Sequence, residues 1–163
     1  MPKFLAGKSD HIDYQIKYDG YIQALDQELK SSFERRKGFL YEMLSYHMGW
    51  TDQHGSPEDN PSHIHLPAIL ALTTCEQISG DFRHALPVAA ALELMHNFTS
   101  VHGDVQNGGS ESQTRPSIWW VWGPSQAINA GDGLHALARS AIMRLSETTL
   151  NTCLLYTSDA ADE

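Results

Sequence analysis

Between residues 18 and 33 the apolar positions Tyr18, Tyr21, Ile22, Leu25, Leu29 and Phe33 recur at helical spacing. That is the spacing of one helix face. Ser31 with Glu34 three residues on has the form of a capping box, so a second helix is expected to begin there. It would carry Phe33, Leu40, Met43, Leu44 and His47 on one broad face and end near Gly49. From Gly49 to Ser62 the chain is rich in Gly, Pro, Asp and Asn, which predicts a loop. Pro67 then stands at a first helical position ahead of the run from Ala68 to Glu76, where its missing N–H costs nothing.

Gly80-Asp81 separates that run from a helix predicted over His84 to His102. Ala85, Leu86, Val88, Ala89, Ala90, Ala91, Leu92, Leu94, Met95 and Phe98 make it apolar nearly all round. Such a helix belongs at the centre of a bundle, covered by its neighbours. A Gly/Ser loop at 108–112 leads to the aromatic run Ile118-Trp119-Trp120-Val121-Trp122. A last helix is predicted from Ser125 to Leu145, with Ile128, Leu134, Leu137, Ala138, Ile142 and Leu145 as its apolar side. No internal repeat and no strand-like alternation interrupts this pattern. The fold class is all-α, an antiparallel helix bundle.

One stripe of the central helix is polar. At 100° per residue His96, Ser100, Gly103 and Asn107 fall on one narrow line, provided the helix continues that far. A polar stripe on a buried helix lines a cavity, because buried polar groups need partners or water. The other reading is a helix whose last turns emerge into solvent near Gly103 and Gly108-Gly109. The pattern alone leaves both open.

Composition narrows the function classes. The chain has 163 residues, 41% of them apolar, enough for one globular core. Asp and Glu outnumber Lys and Arg by 20 to 11, for a formal charge of -9. With no basic cluster beyond Glu34-Arg35-Arg36-Lys37, which reads as a solvated helix face, nucleic acid is not an expected partner. No run reaches the roughly 18–20 apolar residues of a membrane span, and the start is too short in apolar residues for a signal peptide. Cys75 and Cys153 form no zinc or disulfide pattern, so a reduced, cytoplasmic protein is expected. Nine His invite a metal reading, yet only His63 and His65 are closely spaced.

The last eleven residues, Cys153 to Glu163, resemble the translation of a sequencing adaptor. The natural segment is therefore expected to be 1–152, with 153–163 set aside from fold reasoning and the natural protein continuing beyond it. Cys153 carries no functional argument on this reading.

Several motifs in order resemble the polyprenyl (isoprenyl) diphosphate synthases. They are Leu86-Pro87-Val88-Ala89-Ala90-Ala91-Leu92-Glu93-Leu94-Met95-His96-Asn97-Phe98 and Val101-His102-Gly103-Asp104-Val105-Gln106-Asn107. Arg115-Pro116-Ser117 and the run from Trp122 to Asp132 follow, and Tyr46-His47-Met48-Gly49-Trp50 and Leu66-Pro67-Ala68-Ile69-Leu70 precede them. The resemblance spans about Leu40 to Leu145 and implies the isoprenoid-synthase helix bundle, here in truncated form. Family members join an allylic diphosphate to isopentenyl diphosphate. Magnesium, held by a His-Asp-Asp-x-x-Asp segment, neutralises the leaving diphosphate.

The resemblance also exposes what is missing. Its first and last carboxylate positions fall on Gly103 and Asn107; only the middle one, Asp104, is retained, about 80° off the stripe. A Gly-Lys-x-x-Arg-Pro segment for isopentenyl diphosphate aligns with Ser62 to Pro67, replacing Lys by His63 and Arg by Leu66. An Arg-Arg pair becomes Ser112-Gln113, while a His on the central helix is retained as His96. The resemblance thus implies substrate contacts at His96, His63 and Phe98 and a weak metal corner at Asp104 and Asn107, with no catalytic residue and no cofactor as the chain is written. His63 either binds phosphate or sits in a loop. Phe98 either shortens a product pocket or fills the core. Trp119, Trp120 and Trp122 either line a chain-binding cleft or pack the bundle.

Charge-assisted hydrogen bonds are worth about 1.5–3 kcal/mol each. Losing this many contacts removes well over about 5 kcal/mol of diphosphate affinity, non-additively. The expected function is a catalytically inactive polyprenyl-synthetase-like protein of isoprenoid biosynthesis, a degenerate subunit or a truncated fragment. Its implied partner is an intact prenyl diphosphate synthase subunit or a second copy. The alternatives are an active prenyltransferase in full-length form, or a binder of apolar ligands in the prenyl tunnel.

Overall fold

The computed structural model describes residues 8–34, 36–58, 65–112 and 115–145, with side chains from Tyr18 onward. Six α-helices carry the fold among them: α1 (Lys8–Phe33), α2 (Phe39–His47), α3 (Leu66–Ser79), α4 (Leu86–Asn107), α5 (Ile118–Trp122) and α6 (Pro124–Ile142). A 3-10 turn, Phe82–Ala85, joins α3 to α4. Between α4 and α5 lies a two-residue antiparallel ladder, β1 (Glu111–Ser112) on β2 (Arg115–Pro116). That ladder is too short to leave an alternating sequence pattern.

Glycine and proline set the helix ends more firmly than the apolar spacing does. The capping box expected at Ser31 does not start a helix. α1 runs on to Phe33, and the hydroxyls of Ser31 and Ser32 turn back onto the Glu28 carbonyl. α2 begins only after Gly38, whose φ of 120° breaks the helix path. Phe33 therefore belongs to α1. Pro67 does occupy the first turn of α3, and Gly80 closes that helix with a left-handed φ of 80°. α4 starts at Leu86-Pro87 rather than His84 and continues past His102 to Asn107.

The core gathers Leu25 and Leu29 of α1, Met43 and Leu44 of α2, and Leu72 of α3 against Leu94 and Val101 of α4 and Leu134 and Leu137 of α6. α4 and α6 lie antiparallel. His102 bonds the Ile128 carbonyl near the start of α6, and Phe98 stacks on His135 further along it. Small residues permit this approach: a Cβ on Gly131 would lie 2.2 Å from His102 Nε2. The expected all-round burial of α4 is not what forms. Leu92 is 41% exposed, because no described element covers that side, whereas Met95 packs partly against the core.

Candidate functional site

α4 presents three distinct sides, and helix arithmetic sorts its residues among them. Taking Leu92 as the origin, His96, Thr99, Gly103 and Asn107 lie between about -20° and +60°. Leu92, His96, Thr99 and Asn107 are all exposed, with Ser100 and Gly103 half-buried. The predicted stripe exists and the helix does continue to Asn107. Among the described residues it forms an open face rather than the wall of an enclosed cavity. Its N-terminal end borders an apolar groove of about 440 Å³, lined by Val88, Leu92 and Met95, by Ile142 of α6 and by Met143 just beyond it. Arg139 is the cation at its edge.

The C-terminal end of the stripe is where a cation would have to sit, and the side chains do not fit one. Gly103 offers no ligand atom, and Asn107 offers a neutral amide to solvent. Asp104 faces elsewhere. Its carboxylate lies over the backbone of Gly109, so close that a Cβ there would stand 3.2 Å from Oδ1. The Gly109 N–H donates to the Asp104 carbonyl at 3.0 Å, closing the last turn of α4. No group of three or more metal-binding side chains occurs among the described residues. Magnesium asks for several hard oxygen ligands, usually carboxylates, and this corner supplies one, turned away.

Phe98 is about 140° from Gly103 around the helix. Its ring packs between His102, at 4.6 Å, and His135, at 5.2 Å, on the side facing α6. His63 and Gln113 lie outside the described residues. Leu66 opens α3 with 58% exposure and an apolar side chain. Trp119 donates from Nε1 to the Gly109 carbonyl at 2.6 Å, and Trp122 sets its edge against Tyr46. Trp120 is exposed.

Sequence reasoning missed a buried polar cluster at the heart of the bundle. Glu93, fully buried on α4, accepts from Asn97 Nδ2 at 3.1 Å. It also faces His65 Nδ1 at 3.2 Å, without the alignment of a hydrogen bond. The same Asn97 amide donates to the Glu93 carbonyl, which leaves Oδ1 to accept from His47 Nε2 at 2.9 Å. That fixes the proton of His47 on Nε2. The cluster ties α2, the start of α3 and α4 together beneath the open stripe. The available signal was a lone carboxylate inside an apolar helix, since a buried charge requires partners.

A second tie sits at the hairpin. Arg115 Nη1 donates to the carbonyls of Tyr46 and Thr51, and Nη2 reaches Glu58 at 3.2 Å. Burial pushes the Tyr46 hydroxyl above its ordinary pKa, opposed by Arg115 and aided by Glu58. That hydroxyl donates to the Pro116 carbonyl at 2.8 Å. Together these contacts pin the loop after α2 to β2.

Comparison with known proteins agrees with this architecture. Residues 65–161 match the sequence model of the family described as Polyprenyl synthetase. A (2E,6E)-farnesyl diphosphate synthase of Mycobacterium bovis is 30% identical over 135 residues, covering 83% of this chain and 38% of that protein. A geranylgeranyl diphosphate synthase of Mycobacterium tuberculosis is 35% identical over 139 residues, covering 77% of this chain and 40% of its own length. The solved polyprenyl synthetase of Streptomyces coelicolor A3(2) superposes with a TM-score of 0.72 at 31% identity, over 78% of this chain and 38% of that one. The chain thus spans about two fifths of the length of these relatives.

Proposed function

This chain belongs to the polyprenyl synthetase family, and we propose that it acts in isoprenoid metabolism as a cytoplasmic, non-catalytic subunit beside an intact synthase. One observation carries this reading. Along a single open face of α4 the apolar end is kept, as Leu92 and Met95 over the groove, while the other end carries Gly103 and Asn107. A prenyl chain would still find hydrocarbon there. Its diphosphate would find a retained His96 but no paired carboxylates to hold magnesium, whose part in the family is to neutralise that leaving group. No helix among the described residues is long and apolar enough to cross a membrane.

The test is incorporation of radiolabelled isopentenyl diphosphate with an allylic co-substrate. The full-length protein is assayed alone and mixed with an intact synthase from the same source. The expected result is no turnover alone, with altered rate or product length in the mixture. Turnover by the protein alone would establish the active-prenyltransferase alternative instead.

The groove also supports a second reading, a binder of apolar ligands. Fluorescence titration with a dansylated prenyl alcohol measures it directly. Leu92→Ser should weaken that binding several-fold, because about 25 cal/mol is lost for each Å² of apolar contact removed.

A further inference from the structure

Seven of the nine residues that line the groove between α4 and α6 are apolar, and the other two are Arg139 and Ser140. None is acidic, in a chain whose formal charge is -9. We propose that this groove binds a long-chain carboxylate, with its tail along Leu92 toward Val88 and Met143 and its head on the Arg139 guanidinium. The proposal rests on the apolar-ligand reading of the groove and adds the head group and the residue that holds it.

Arg139 differs from the other arginines around it. Arg83, Arg115 and Arg144 each face a carboxylate, at 3.2, 3.2 and 2.7 Å. The Arg139 side chain has no hydrogen-bond or ion-pair partner among the described residues. It stands exposed in the last turn of α6. The helix dipole favours a cation in that turn, but the dipole does not choose a side of the helix. Arg139 is on the side that lines the groove, between Ala138 and Ile142.

The register of the two helices places it at one end. Phe98 stacks on His135 across the antiparallel pair, so Arg139, one turn further along α6, comes level with Met95. Val88 and Met143 form the other end, about 10 Å away along α4. The volume of about 440 Å³ is in the range of small-molecule pockets. One guanidinium fits one monoanion. Its planar fork matches a carboxylate at two points, and hydrocarbon beside the pair weakens the competition from water. A diphosphate carries more charge than a single arginine offsets, and the C-terminal end of the α4 face supplies no further cation.

Fluorescence titration of the purified 163-residue chain with dansylaminoundecanoic acid, and with the matching alcohol, tests this near neutral pH. The acid should bind about five-fold more tightly than the alcohol, the upper range for an ion pair open to solvent. Added salt should narrow that gap, and chelator should leave it unchanged. Arg139→Gln should bring the acid down to the level of the alcohol without moving the alcohol. Arg139→Lys should keep part of the preference, because an ammonium lacks the fork. Leu92→Ser should weaken both ligands alike. Equal binding of acid and alcohol by the wild type would overturn the proposal and leave the apolar-ligand reading standing. Equal loss of both in Arg139→Gln would overturn it too, since Arg139 would then act without its charge. Tighter binding of the matching phosphate monoester would overturn the choice of carboxylate. A wild-type dimer that Leu92→Ser dissociates would give the groove to a second copy. Binding of neither ligand would overturn the apolar-ligand reading itself.

Discussion

Two sides of α4, less than half a turn apart, handle polarity in opposite ways. On one, Glu93 and Asn97 are completely buried, yet most of their polar atoms have partners on α2, on α4 itself or at the start of α3. On the other, Leu92 and His96 stand exposed together, followed by Gly103 and Asn107. The first side puts charge where hydrocarbon is expected, and the second puts hydrocarbon where charge is expected. A buried polar cluster persists only when its members satisfy one another, so it is costly to alter one residue at a time. An open face carries no such coupling, and its residues can change singly with little effect on folding. Substitutions on the open face are therefore compatible with an intact bundle beneath it, whereas substitutions in the buried cluster are not.

The sharpest way to break the comparison is at Glu93. Glu93→Leu takes one acceptor from the Asn97 amide and removes the carboxylate that faces the His65 imidazole, and breaking a buried pair in this way costs about 3–5 kcal/mol. The double variant Glu93→Leu/His65→Leu should recover a substantial part of that loss, because neither member of the pair then remains without the other. Urea denaturation of the wild type, both single variants and the double variant closes the thermodynamic cycle. Costs that simply add would mean that Glu93 and His65 do not act as a pair.

The side of α4 that faces α6 provides the next test. A methyl group at Gly131 would stand 2.2 Å from His102 Nε2, so Gly131→Ala must push the imidazole off the Ile128 carbonyl, 3.2 Å away. Overpacking of this kind costs about 1–3 kcal/mol. Because the obstacle is a side chain and not backbone, Gly131→Ala/His102→Ala should be more stable than Gly131→Ala alone. Thermal melting of the two proteins gives the sign directly. If the double variant is the weaker, the close approach of α4 and α6 depends on the imidazole rather than on the glycine.

How far the sequence foretold this depends on which residue was asked. Apolar spacing located every long helix, and Pro67 and Gly80 placed the ends of α3. Ser31 misled, because a capping box is a local preference and the α1 surface, continuous through Leu29 to Phe33, outweighed it. Gly38, with its positive φ, was the true stop. The run of apolar letters in α4 predicted burial on all sides, yet letters do not say which neighbours exist to cover each side, and Leu92 was left open. Glu93 was passed over for a related reason: periodicity counts hydrophobic positions and skips a carboxylate, and although Asn97 stands one turn along the same helix, His65 comes beside it only through the fold.

The smallest expected effect is the most diagnostic for the open face, because its sign is opposite to that at Gly131. Gly103→Ala adds a methyl group to an interior helix position with nothing within 4 Å to strike. Glycine there costs α4 about 0.5–1 kcal/mol relative to alanine, through the backbone freedom it surrenders on folding. Part of that gain comes from restricting the unfolded chain, so it needs no new contact in the folded protein. The variant should therefore unfold at a higher urea concentration with an unchanged m-value, a gain readable in paired denaturation curves. Gly131→Ala, on the same pair of helices, should move the midpoint the other way. Were Gly103→Ala to destabilise the protein instead, something must pack against the stripe in solution, and the contrast between the two sides of α4 would not hold.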